Sequence, residues 1–217
     1  MTAKQSDTAK LLLVCFVILV ACSVCRADVI ALYTFEGPSL TNSAGALNVT
    51  VSDFQYVGSG TTNFFSGNGS ASGFSATAWP TNAVIGGVFT FSLTLNLGYS
   101  LSLSNVTFDN YRSGTGPADC GMQFSTNGGS AWTTIESFTS PAASTWYTRL
   151  ADMTLFSDAT GIIDFRIYAT NATSAAGTFR VDNVTVNGSV SAIPEPATVA
   201  LVGIGLLTLL AFRRRAH

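Results

Sequence analysis

Between Asp28 and Val190 the chain sets hydrophobic residues against small polar ones in short runs. Phe89, Phe91, Leu93, Leu95 and Leu97 alternate with Thr90, Ser92, Thr94 and Asn96, the period of a sheet with one buried face. Ile163, Phe165 and Ile167 alternate in the same way with Asp164, Arg166 and Tyr168. Further strands are predicted at 29–35, 47–57, 99–110, 119–126, 131–138, 145–150 and 177–187. No stretch of this region sustains a helical period, and Gly, Asn and Ser separate the runs. The pattern predicts one all-β domain over 28–190, a β-sandwich or jelly roll.

Two runs, LSLSNVTF (101–108) and FRVDNVTV (179–186), share an irregularity. Their apolar residues alternate, then slip phase by one at Asn105-Val106 and Asn183-Val184. A slip would turn every following side chain to the wrong face unless a bulge absorbs it, so a bulge or bend is predicted at each Asn. The stretch from Ser125 to Trp132, STNGGSAW, resembles the Asp-box hairpin of sialidases, with Asn127 for Asp and Ala131 for Thr. That resemblance implies a tight turn with the tryptophan packed back over it. The box is a structural device and supplies no catalytic residue.

The two ends follow a different pattern. MTAKQSDTAK precedes an apolar run, LLLVCFVILVACSVC, and small residues stand at Cys25 and Ala27. This is the layout of a secretory signal peptide (1–27), cut after Ala27 by signal peptidase. Leu19-Val20-Ala21-Cys22 also fits a lipobox, which would lipidate Cys22 instead. At the other end (191–217), Pro194-Glu195-Pro196 leads into an apolar run, 197–212, closed by Arg213, Arg214 and Arg215. The run is just short of the roughly 17–25 residues of a spanning helix, and proline suits its first turn. The arginines form a basic stop that holds the end in the cytoplasm. Together these parts resemble the PEP-CTERM sorting signal of exported proteins in Gram-negative bacteria that make exopolysaccharide. The resemblance implies an exosortase that reads Pro194, Glu195 and Pro196, a transient membrane anchor, and delivery to the cell surface or the extracellular, biofilm-type matrix. It covers only the tail and does not describe 28–190.

Charge is sorted to the ends as well. Residues 28–190 hold ten acids, four arginines and no lysine, a net of about −6, which argues against nucleic acid as a partner. The only histidine is His217, so the domain holds no Ser-His-Asp or Cys-His machinery and no histidine-ligated zinc. Cys120 is the one cysteine beyond the signal peptide, and its strand context, DCGMQF, favours a buried, inert thiol.

Carboxylates are the remaining chemistry. Glu36, Asp53, Asp109, Glu136, Asp152 and Asp164 could supply a pair for glycoside hydrolysis, but no motif singles two of them out, and solvated turn acids are the simpler reading. Tyr33-Thr-Phe35-Glu36 near the start and Val181-Asp182-Asn183-Val184 near the end resemble the ends of jelly-roll carbohydrate-binding modules. There such acids share a structural calcium, so Glu36 and Asp182 are its expected ligands here. For stacking on sugars, Trp79 and Tyr111 are the candidate rings; Trp132 and Trp146 read as packing. The expectation is a non-enzymatic, structural or adhesive envelope or matrix protein. An exopolysaccharide-binding module is the first alternative and a carboxylate-pair glycoside hydrolase the second.

Overall fold

The computed structural model describes residues 28–194 and 203–205. The expected signal peptide (1–27), Glu195, Pro196 and Arg213–Arg215 lie outside them. So does the span expected at 197–212, apart from Gly203–Gly205, which are helical. Among the described residues no helix is long and apolar enough to cross a membrane.

The chain forms β1 (Asp28–Tyr33), β2 (Ala44–Gly45), β3 (Val49–Val51), β4 (Gln55–Val57), β5 (Thr62–Phe65), β6 (Gly73–Ala76) and β7 (Val88–Leu95). These are followed by β8 (Tyr99–Arg112), β9 (Asp119–Ser125), β10 (Thr133–Thr139), β11 (Trp146–Asp152), β12 (Ile162–Thr170) and β13 (Phe179–Ala192). They make two sheets. In the first, the order is β11-β8-β13-β1-β2, with β6 pairing a further stretch of β13 and β5 pairing β6. In the second, it is β10-β9-β12-β7-β3, with β4 also on β7. The fold is an all-β, two-sheet sandwich of the jelly-roll kind, as the alternation predicts.

The two clearest runs pair with each other. β7 lies antiparallel to β12 with Phe91 opposite Phe165, and the two rings stack at 5.0 Å. Around them Tyr33, Phe35, Phe54, Phe74, Trp79, Phe89 and Phe179 are all buried between the sheets. Each such ring removes roughly 150–250 Å² from water, at about 25 cal/mol per Å². The core carries the fold, since Cys120 is a free, buried thiol.

The alternation overreaches at Leu97. β7 ends at Leu95, and Asn96-Leu97-Gly98 turns into β8 with Gly98 at φ 85°. Leu97 is therefore fully exposed rather than on the buried face. The expected strand 47–57 is broken at Ser52–Phe54 into β3 and β4. Strands β2, β5 and β6 have no clean alternation. All four residues of β6 are buried, because its polar face is covered as well as its apolar one.

Both phase slips are real, and they are coupled. Across β8 and β13, Asp182 pairs with Asp109 but Thr185 with Thr107, so β13 carries an extra residue at Asn183-Val184. Further on, Asn187 pairs with Asn105 but Gly188 with Leu103, so β8 carries an extra residue at Ser104, one position before the Asn expected. One bulge on each strand restores the original register, which lets two 14-residue strands stay paired along their length.

Candidate functional site

Trp79 is not a sugar platform. Its ring is buried, packed against Tyr56, Phe89 and Phe179, and its indole N–H donates to Ala76 O at 2.7 Å. Placing an indole there removes a large apolar area from water while its one donor is satisfied. Tyr111, at the end of β8, is half-buried on the outer face of the first sheet. The Arg180 guanidinium sits 4.5 Å from its centroid and Trp146 leans on it at 5.3 Å. Phe65 lies against the same guanidinium at 4.3 Å. Tyr111 therefore belongs to a row Phe65–Arg180–Tyr111–Trp146 in which rings and cation cover one another.

The outer face of the second sheet is built differently. Asp164, Arg166 and Tyr168 stand on the polar phase of β12, opposite Ser125, Gln123 and Gly121 of β9. The hydroxyl end of Tyr168 occupies the space that a Cβ on Gly121 would take. The ring thus crosses β9 and meets Ser137 Oγ of β10 at 3.1 Å. Only a glycine lets the phenol lie so low over the sheet. Beside it, Arg166 Nε donates to Gln123 Oε1 at 2.7 Å, and Gln123 Nε2 donates to Thr134 Oγ1 at 2.9 Å. Ser92 Oγ donates to Asp164 Oδ1 at 2.6 Å. Burial holds the Arg166 guanidinium below its usual range, and it stacks on the Trp132 ring at 4.1 Å. The result is a half-buried ring laid across three strands among fixed hydrogen-bonding groups.

Trp132 reaches that position through the expected hairpin. Ser125 Oγ accepts from the N–H of Asn127 and Gly129, and Asn127 Oδ1 accepts from Ala131 N–H. Gly128 and Gly129 take positive φ, and the tryptophan packs against Gly129. Sequence reasoning assigned Trp132 to packing and passed over Tyr168, Arg166 and Gln123. The available signal was a Tyr and an Arg on the polar phase of a strand, but pairing with Gly121 is a tertiary fact.

Of the six candidate acids, Glu136 and Asp152 line one cleft of about 370 Å³ between the β10 and β11 edges. A bulge in β10 between Thr134 and Glu136 lies at its wall, and Phe124, Met153 and Phe156 are among its apolar lining. Asp152 is exposed, and hydrogen bonds from Thr154 hold its carboxyl below the usual range. The other four acids lie elsewhere.

Glu36 and Asp182 each accept hydrogen bonds from one loop, 68–71. Glu36 Oε1 accepts from Ala71 N–H at 3.0 Å. Asp182 Oδ2 accepts from Asn68 N–H at 2.8 Å and from the Ser70 hydroxyl at 2.6 Å. Gly67 approaches Asp182 so closely that a Cβ would collide with the carboxylate. Asp182 is fully buried. Burial pushes its carboxyl up, three hydrogen bonds oppose that, and neighbouring Asp109 adds to the rise. Among the described residues no three His, Cys, Asp or Glu side chains are grouped as a metal site.

The PEP-CTERM protein-sorting motif matches residues 192–215. The motif implies export, membrane-anchored sorting and exosortase as the processing partner. No curated protein matches the chain. Among solved structures, the K3 cleaved adhesin domain of Lys-gingipain from Porphyromonas gingivalis is 12% identical, over 75% of this chain and 99% of that one, with a TM-score of 0.47. The CBM22-1 xylan-binding domain of Paenibacillus barcinonensis Xyn10C is 12% identical over 77% and 98%, with a TM-score of 0.47. The family 11 carbohydrate-binding module of Clostridium thermocellum Lic26A-Cel5E is 18% identical over 80% and 99%, with a TM-score of 0.42.

Proposed function

We propose that this chain is an exported, exosortase-processed adhesive protein of the cell surface or extracellular matrix, whose sandwich binds exopolysaccharide without turning it over. The observation that carries the binding is the Tyr168 ring laid over Gly121 on the outer face of the second sheet. A ring lying low on a sheet offers a flat apolar face to the C–H face of a pyranose, while half-exposed Arg166 and Asp164 beside it offer polar groups to its hydroxyls. The test is affinity electrophoresis through gels containing the host's exopolysaccharide. Retarded migration that is lost in Tyr168→Ala supports the reading. Unretarded wild-type protein leaves a purely structural role.

The cleft between Glu136 and Asp152 supports the hydrolase alternative. Reducing ends released from exopolysaccharide, and abolished by Glu136→Gln, would establish it in place of binding alone.

The corner at Glu36 and Asp182 is proposed to hold a structural calcium ion. Two carboxylates from opposite ends of the chain reach one loop, and the hydrogen-bond partners of buried Asp182 are all neutral. Hard oxygen donors from these acids and from loop carbonyls suit calcium, and the ion would tie the first and last strands together. A melting temperature unchanged by chelator would remove the ion from this site.

A further inference from the structure

The three most exposed large hydrophobic side chains of the described residues are Leu97, Leu155 and Leu47. All three lie at the end of the sandwich where β13 leaves the domain. Two of them are joined to that exit by backbone hydrogen bonds. Asn96 N–H donates to Asn48 O at 3.0 Å, which sets the Leu47 tip beside the Leu97 tip. Ile193 N–H donates to Gly98 O at 2.8 Å, which sets exposed Ile193 next to Leu97. Half-exposed Ile162 follows Gly161, whose carbonyl accepts from Leu95 N–H in the same corner. Val84 is exposed at the far end of the domain, and Val57 and Leu150 are exposed on strands. The leucine tips thus gather around the chain's exit.

The length of the chain beyond this exit decides what the patch meets. β13 stays paired to Ala192, opposite Tyr99, and the apolar run begins at Ala197. Five residues span at most about 17 Å when fully extended, and Pro194 and Pro196 favour a stiff, extended path. The domain has no linker that could lift it away. We infer that this end of the sandwich rests on the outer leaflet of the membrane that holds the tail, with Leu47, Leu97 and Ile193 inserted at headgroup level. The inference rests on the sorting reading of the tail. The contact does not rely on basic side chains: none of the four arginines Arg112, Arg149, Arg166 and Arg180 lies in these loops, and the domain has no lysine. The charged groups at this corner are the acids Asp28 and Asp158, beside Leu47 and Ile193. Exosortase would then meet Pro194-Glu195-Pro196 at a fixed height, between a docked domain and the bilayer.

Spin labels test the contact. The full-length chain, its four native cysteines replaced by alanine, is reconstituted in phosphatidylethanolamine–phosphatidylglycerol vesicles. Single cysteines are then placed by Leu47→Cys, Leu97→Cys, Thr115→Cys at the far end of the domain, and Gly203→Cys in the apolar run. Labels at 47 and 97 should collide severalfold less with an aqueous nickel chelate than the label at 115, and more with oxygen, at low and high salt alike. Labels at 47 and 97 as nickel-accessible as 115, with 203 protected, would overturn the docking while leaving the inserted tail intact. A water-exposed label at 203 would overturn both. Labels at 47 and 97 shielded from nickel and oxygen together would mean that protein covers the patch, and would overturn a lipid contact.

Discussion

Asn183 Nδ2 donates to Asp109 Oδ2 across 2.9 Å while its own backbone sits at φ 49°, in the left-handed region. The bond joins the β13 bulge to the strand it has slipped against. Asn tolerates this φ better than most residues because its short amide can bond locally. Asn183→Ala should lose both advantages and cost about 1–2 kcal/mol in urea unfolding. Asn183→Gly keeps the backbone freedom and should cost less. Equal losses would mean that the bond alone matters.

Gly121→Ala should separate binding from stability. The added Cβ meets only the far end of Tyr168, which can swing away at a stability cost of about 1 kcal/mol or less. The ring would then no longer lie over β9. Exopolysaccharide affinity should fall nearly as far as in Tyr168→Ala, with urea unfolding nearly unchanged. Full affinity in Gly121→Ala would show that the low-lying ring is not the platform.

The hairpin at 125–132 depends on one hydroxyl. Ser125→Ala removes the acceptor of two turn N–H groups, and the side chain is 2% exposed. A loss of about 1–2 kcal/mol is expected. Trp132 emission should shift to the red as its turn loosens.

Alkali should destabilise the domain. Burial pushes the Cys120 thiol up to about 12, and burial, helped by Asp53, raises the Tyr33 phenol, whose O–H donates to Ser52 O. Below the unfolded values of about 8.5 and 10 both groups are neutral in either state, and their contribution is fully present. As pH rises past those values the unfolded chain releases protons that the folded one keeps. Stability should therefore fall by about 1.4 kcal/mol per pH unit for each group, until pH passes the folded values. Far-UV circular dichroism against pH measures this. Cys120→Ala should flatten the first part of the decline, and the native thiol should resist alkylation at neutral pH.

Much of the molecule is readable along the chain because it depends on local order. The alternation at 89–95 and 163–167 marks strands since side chains in a sheet point to opposite faces in turn. The slip at Asn183 marks a bulge since a phase error must be absorbed within a residue or two. The C-terminal sorting motif is legible because a sorting enzyme reads it as a linear string. Leu97 escapes this logic: it continues the period, but the strand has already ended at the Gly98 turn.

Pairings between distant residues are a different matter. Nothing linear says that Tyr168 lies over Gly121, that Trp79 faces the core, or that Glu36 and Asp182 share a loop. Linear order accounts for the sandwich class, the strand periods, the lack of a histidine in 28–190 and the sorting motif at 192–215. Tertiary packing decides that the Tyr168 ring lies over Gly121, that Glu36 and Asp182 reach one loop, and that Leu47, Leu97 and Ile193 gather where β13 leaves the domain. The physical reason is that these outcomes rest on register between strands remote in sequence, and a shift of one residue would put each side chain on the opposite face.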